Sequence, residues 1–131
     1  MRKLAFLLIL VLVLGLAACG GEAEAPAATA AGGDAAAGEV VFTQAAVPAC
    51  NTCHSLEPGV TLVGPSLATI GAEAGSRVSG ASAADYVRKS ITAPDSFVVE
   101  GFASGLMTAG YETQLTEEQI DDLVAYMLTL K

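Results

Sequence analysis

Residues 50–54 read Cys-Asn-Thr-Cys-His, and no other stretch constrains the chain as much. Two thiols separated by two residues and followed at once by an imidazole match the covalent attachment motif for c-type haem. The spacing has a chemical reason. Two thiols on one tight turn can add across the two vinyl groups of one porphyrin edge, which gives two thioethers. The histidine after the second thiol can then swing under the ring and offer a nitrogen to the iron. A Cys-x-x-Cys pair alone would suit a redox dithiol or half a zinc site equally well. The adjoining His54 and an exported setting favour one haem c per chain, held by Cys50 and Cys53, with His54 as an axial ligand. A zinc site would need a fourth ligand. The chain has no second His, and its third Cys lies near the start.

The setting is read from the N-terminus. Arg2 and Lys3 precede an unbroken apolar run from Leu4 to Leu14, and Gly15-Leu-Ala-Ala18 ends it in small residues. This is the pattern of an export leader over residues 1–18. The apolar part is short of the roughly 20 residues that a spanning helix needs. Leu16-Ala-Ala-Cys19-Gly20 resembles the lipobox of bacterial lipoproteins. That resemblance implies cleavage before Cys19 and lipidation of its thiol, so that acyl chains anchor the mature protein on the periplasmic or extracytoplasmic side. Residues 19–33 are mostly Gly, Ala, Glu and Pro and offer nothing to bury in a core. They are expected to form a flexible linker with a reach of about 20–25 Å. Residues 34–131 remain as one domain.

Charge narrows the partners. Without Arg2 and Lys3, four cations (Arg77, Arg88, Lys89 and Lys131) stand against fourteen carboxylates. Such an acidic chain does not suit nucleic acid. A protein partner is expected to present a basic or neutral face. Core material is scarce too, since the chain has no Trp and aromatics are 5% of residues. A small domain with so few large side chains gains buried apolar surface from a cofactor.

The domain reads as helices joined by loops, without period-2 strands or repeats. Asp34 is a suitable N-cap for a helix from Ala35 to about Ala46, with Gly38, Phe42 and Ala45 on one face. Ser55 to Ser79 is rich in Gly and Pro and is expected to be loop, with one helical turn near Leu67–Ile70. Ser82 and Asp85 announce a second helix, whose apolar side is Tyr86, Val87, Ser90 and Ile91, and Pro94 ends it. Asp95 to Glu112 is expected to be another loop. Thr116 and Gln119 form a capping box for the last helix, which carries Ile120, Leu123, Val124, Met127 and Leu130 as an inward stripe, with Tyr126 at its edge.

The second axial ligand must be a side chain with a lone pair. Met107 and Met127 are the candidates, with Lys and Tyr as weaker ones. Met127 falls in the inward stripe of the last helix and reads as core. Met107 sits in Gly105-Leu-Met-Thr-Ala-Gly110, a segment able to fold over a haem face. A thioether there favours Fe(II) and raises the potential.

With these residues in place, residues 34–131 resemble the small class I cytochromes c of bacterial respiratory chains. The resemblance implies an all-α fold of three main helices and loops around one covalent haem. Gly38-x-x-x-Phe42 looks like the family's Gly/aromatic pair, which packs on the last helix, here against Leu123 and Tyr126. Gly64-Pro-Ser-Leu67 resembles the Gly-Pro-x-Leu loop; there the carbonyl of Pro65 would hold His54 and Leu67 would line the pocket. The tail from Leu115 to Tyr126 is typical of the family. Two departures stand out: Thr108 follows Met107 where the family usually has Pro, and the stretch from Phe42 to Cys50 is longer than in the shortest members. With no Trp to bind a haem propionate, Arg77 and Tyr86 are the candidates, and Tyr111 is placed either to cover the haem edge or to pack.

The function implied is one-electron transfer, with His54 and Met107 on the iron and no substrate site. The expected partners are membrane-bound redox complexes such as a terminal oxidase or a quinol-oxidising complex. The alternative is a haem enzyme or a gas or redox sensor with an open or weakly ligated iron, which Thr108 keeps in view.

Overall fold

The computed structural model describes residues 32–131. The leader, Cys19 and all but the end of the linker lie outside the described residues. Among the described residues five α-helices follow in order: α1 (Ala35–Val40), α2 (Ile70–Arg77), α3 (Ala83–Thr92), α4 (Tyr111–Gln114) and α5 (Glu117–Thr129). Short 3₁₀ turns occupy Cys50–Thr52 and Pro94–Ser96, and there is no strand among the described residues. The fold is all-α.

α5 is the axis on which the rest is laid. It forms because Thr116 and Gln119 cap it reciprocally, each side chain meeting the other's backbone N–H. Ile120, Leu123, Val124 and Met127 are buried along its inner side. α1, α2 and α3 all pack against it. α1 begins at Asp34, whose carboxylate accepts from the backbone N–H groups of Ala36 and Ala37. It crosses α5 so closely that a methyl group at Gly38 would lie 2.0 Å from the carbonyl oxygen of Asp122. Beside the crossing, the rings of Phe42 and Tyr126 meet with centroids 5.6 Å apart, and Phe42 and Leu123 are both buried. Asp122 is a buried carboxylate at this crossing, and it accepts the backbone N–H of Asp34 at 2.6 Å.

Three expectations need correction. The first helix does not keep α-helical register to Ala46. Val41–Ala45 winds as a π-helical turn, and the N–H of Ala46 donates to the carbonyl of Val41. The wider turn moves the inward position by one residue, so Ala46 is buried and Ala45 is exposed. Ile70–Arg77 is a full helix of eight residues, not a single turn in a loop. Gly71 and Gly75 weaken its intrinsic propensity. Gly71, however, lets the backbone lie against the end of α5, where its N–H donates to the carbonyl of Leu130 at 2.8 Å. Tertiary docking outweighs propensity there. Within the expected Asp95–Glu112 loop, the 3₁₀ turn reaches Ser96, and Tyr111 opens the one-turn helix α4.

α3 is joined to α5 by Arg88, which bonds the carboxylates of Glu117 and Asp121. Its buried residues, Tyr86, Val87 and Ile91, face inward. The helices close only part of the interior. A cleft remains between α2, α3, the inner side of α5 and the loops, and the attachment motif opens onto it.

Candidate haem site

The motif is shaped by the 3₁₀ turn at Cys50–Thr52. The N–H groups of Cys53 and His54 both donate to the carbonyl of Cys50, at 3.1 and 3.0 Å. This turn leaves Asn51 and Thr52 in solvent, while Cys50, Cys53 and His54 are half-buried and line the cleft. Both cysteines are free thiols. Burial pushes the Cys50 thiol up to about 11. A redox dithiol works through a thiolate of lowered pKa, so this environment is the opposite of what such a site needs. Among the described residues no group of three or more His, Cys, Asp or Glu side chains is placed to hold a metal ion.

His54 is fixed by the loop that follows it. The N–H of Gly64 donates to the carbonyl of Cys53 at 2.8 Å, and the N–H of Leu67 donates to that of Ser55 at 2.9 Å. These two bonds bring Gly64-Pro65 beside the imidazole. Nδ1 of His54 lies 2.8 Å from the carbonyl oxygen of Pro65. A carbonyl can only accept, so Nδ1 carries the hydrogen and Nε2 keeps its lone pair. Burial lowers the His54 pKa, with the Pro65 bond acting in the opposite sense. The ring is thus held as the neutral tautomer that can ligate iron. Gly64 makes the approach possible, because a methyl group there would lie 2.5 Å from Cε1 of His54.

The other side of the cleft comes from the segment before α4. Met107 is half-buried and lines the cleft, as does Thr108, which is exposed. Gly105 and Gly110 both have positive φ, at 75° and 95°, which turns the chain on either side of the methionine. Tyr111 is 5% exposed and its hydroxyl donates to the carbonyl of Pro48 at 2.9 Å. Burial raises its pKa, and the Thr108 side chain lies within reach of the phenol. Tyr111 both packs and faces the cleft.

All eight expected haem-contacting residues, Cys50, Cys53, His54, Pro65, Leu67, Arg77, Tyr86 and Met107, line this one cleft. Arg77 is also paired with Glu73, one turn back on α2. The Thr69 hydroxyl and the Arg77 guanidinium hold that carboxyl below its usual range. Tyr86 meets the ring of Phe97 edge-on, with centroids 5.6 Å apart. Sequence reasoning missed Phe97, Val98, Val99 and Phe102, which also line the cleft. Their signal is an apolar run in a segment with no helix to bury it.

The cleft has about 1340 Å³ of space including its mouth. With two free thiols on one wall, a neutral imidazole beside them and mainly apolar surroundings, its donor set fits a covalently held haem. The family model for cytochrome c matches residues 35–131. The chain belongs to the cytochrome c family. Comparison with curated proteins and with solved structures gives no match. Membership makes this domain a haem-based electron carrier with c-type haem on the Cys50–His54 motif.

Proposed function

We propose that this cytochrome c carries single electrons with His54 and Met107 as the two axial ligands. The observation that carries the reading is the shared cleft. The free Nε2 side of His54 and the half-buried thioether of Met107 belong to one apolar cavity with both thiols. When bound, haem supplies the Fe(II)/Fe(III) couple. The protein's part is to keep both axial sites filled and water away from the ring. Pro65 orients His54, Leu67 covers the ring, and Arg77 and Tyr86 bind the propionates.

The chain acts at a membrane surface, held by acyl chains on Cys19 after export to the periplasmic or extracytoplasmic side. The linker lets the domain search for a terminal oxidase or a quinol-oxidising complex of a respiratory chain. The acidic balance makes these encounters sensitive to ionic strength.

The test is an absorption spectrum of the haem-loaded full chain, oxidised and reduced. Expected are sharp reduced bands and, in the oxidised form, the weak red-edge band of sulfur bound to iron. Met107→Ala should abolish that band. Haem bands without it in the unaltered protein, together with ready binding of carbon monoxide by the ferrous form, would replace carrier function by an open-iron enzyme or sensor.

A further inference from the structure

The segment that carries Met107 lacks a backbone framework of its own. Among the described residues, the backbone groups of Met107, Thr108 and Ala109 make no backbone hydrogen bond. The nearest ones are Leu106 to Ala103 on one side, at 3.4 Å, and Thr113 to Gly110 on the other. A thioether on such a segment would wander unless side chains fix the segment at its ends.

Two side chains do so. Downstream, the Tyr111 hydroxyl donates to the Pro48 carbonyl at 2.9 Å, across 63 residues of sequence. Pro48 lies two residues before Cys50, so the bond runs from the end of the Met107 segment to the segment that enters the haem attachment turn. Upstream, the Asp95 carboxylate accepts from the N–H of Gly105 at 2.7 Å and from the Ser104 hydroxyl at 2.9 Å. Asp95 follows Pro94 at the end of α3. The first bond is partly buried and the second pair is exposed, so Tyr111 is the stronger fastening.

We propose that Tyr111 is the positioning residue for the Met107 ligand, strapping the methionine segment to the attachment segment at Pro48, with Asp95 as a weaker second pin. This rests on the His/Met reading above and adds what keeps the sulfur on the iron. Tyr111 acts through Met107 and is not itself a ligand. Without the strap the segment samples positions in which the thioether has left the metal, and an added ligand captures them.

The experiment uses the haem-loaded full chain in its ferric form. Added imidazole displaces the sulfur, and loss of the red-edge band measures its apparent affinity. Tyr111→Phe removes one oxygen and keeps the ring. Loss of the Pro48 bond, with the Thr108 contact to the same hydroxyl, should make imidazole bind about fivefold more tightly. Asp95→Ala should shift binding in the same direction by about twofold, in keeping with its exposure. Thr116→Ala is the comparison: it removes the α5 cap and lowers overall stability away from the cleft. It should leave imidazole affinity unchanged.

Equal affinity in Tyr111→Phe and the unaltered protein would overturn the strap while leaving His/Met ligation standing. The same shift in Thr116→Ala as in Tyr111→Phe would overturn it too, since general loosening would then be the cause. If Tyr111→Phe does not take up haem, Asp95→Ala decides, and no shift there overturns the proposal. A missing sulfur band in the unaltered protein overturns both the ligand assignment and the strap.

Discussion

Gly38→Ala tests the crossing on which the fold depends. The added methyl would lie 2.0 Å from the carbonyl oxygen of Asp122, 2.5 Å from its carbonyl carbon and 2.7 Å from Cβ of Tyr126. Two of these three neighbours are backbone atoms of α5, which cannot rotate aside as a flexible side chain can. Ordinary contact begins at 3.4 Å, so α1 must retreat by about 1.4 Å. That retreat also loosens the Phe42–Tyr126 contact and lengthens the 2.6 Å bond from Asp34 to Asp122. Overpacking of this kind costs about 3 kcal/mol. Alanine returns about 1 kcal/mol through helix propensity. The net loss is about 2 kcal/mol, which for a domain of this size lowers Tm by about 8–16 °C. Gly75→Ala is the matched control. Gly75 also lies inside a helix, but its methyl would meet nothing closer than 3.8 Å. There only propensity acts, and Tm should stay level or rise by a few degrees. Both are read from the far-ultraviolet circular dichroism of haem-loaded protein on heating. A Gly38→Ala Tm equal to that of the unaltered protein would refute the close backbone crossing.

Gly64→Ala should crowd His54, since its methyl would lie 2.5 Å from Cε1 and 2.8 Å from Nδ1. The strain of about 1–3 kcal/mol falls on the ring and on its bond to Pro65; a share of high-spin haem in the reduced protein is expected, and an unchanged low-spin spectrum would show that the loop yields instead. Asp95 gives a pH dependence. The Gly105 N–H, then the Ser104 hydroxyl, hold its carboxyl below the ordinary range. As pH falls, the unfolded chain therefore takes up this proton first, so the stabilisation present above the ordinary carboxylate pKa is lost as pH falls through the folded value. Asp95→Asn should lack that part of the acid dependence in denaturant titrations, and parallel curves for the two proteins would count against the pin.

Much of the fold was legible because its signals are local. The Thr116–Gln119 box and the apolar stripe mark α5, and both Asp34 and Ser82 act as caps in the structure. α2 was not legible. Its glycines read as loop because the reason for one of them, backbone contact with the far end of α5 at Leu128 and Leu130, is non-local. The π-helical turn escaped for a related reason. Ala45 and Ala46 are identical residues, so composition alone cannot say which one faces inward.

The site was legible to the degree that chemistry demands particular residues. Thiols, imidazole and thioether are few in this chain, and elimination among three Cys, one His and three Met leads to a short set. What holds those groups in place is made of common parts: a proline carbonyl, a tyrosine hydroxyl, an aspartate on a turn. Their partners lie 11, 63 and 10 residues away in sequence, and no spacing rule reveals them. The apolar residues around Phe97 fall between the two cases. They lie in a stretch with no helical or strand period, and of them Phe97 meets the ring of Tyr86 on α3. In a chain with this few aromatics, such residues are spent outside the helices only where something else covers them. These residues line the cleft, so a bound haem would cover them and become part of the core.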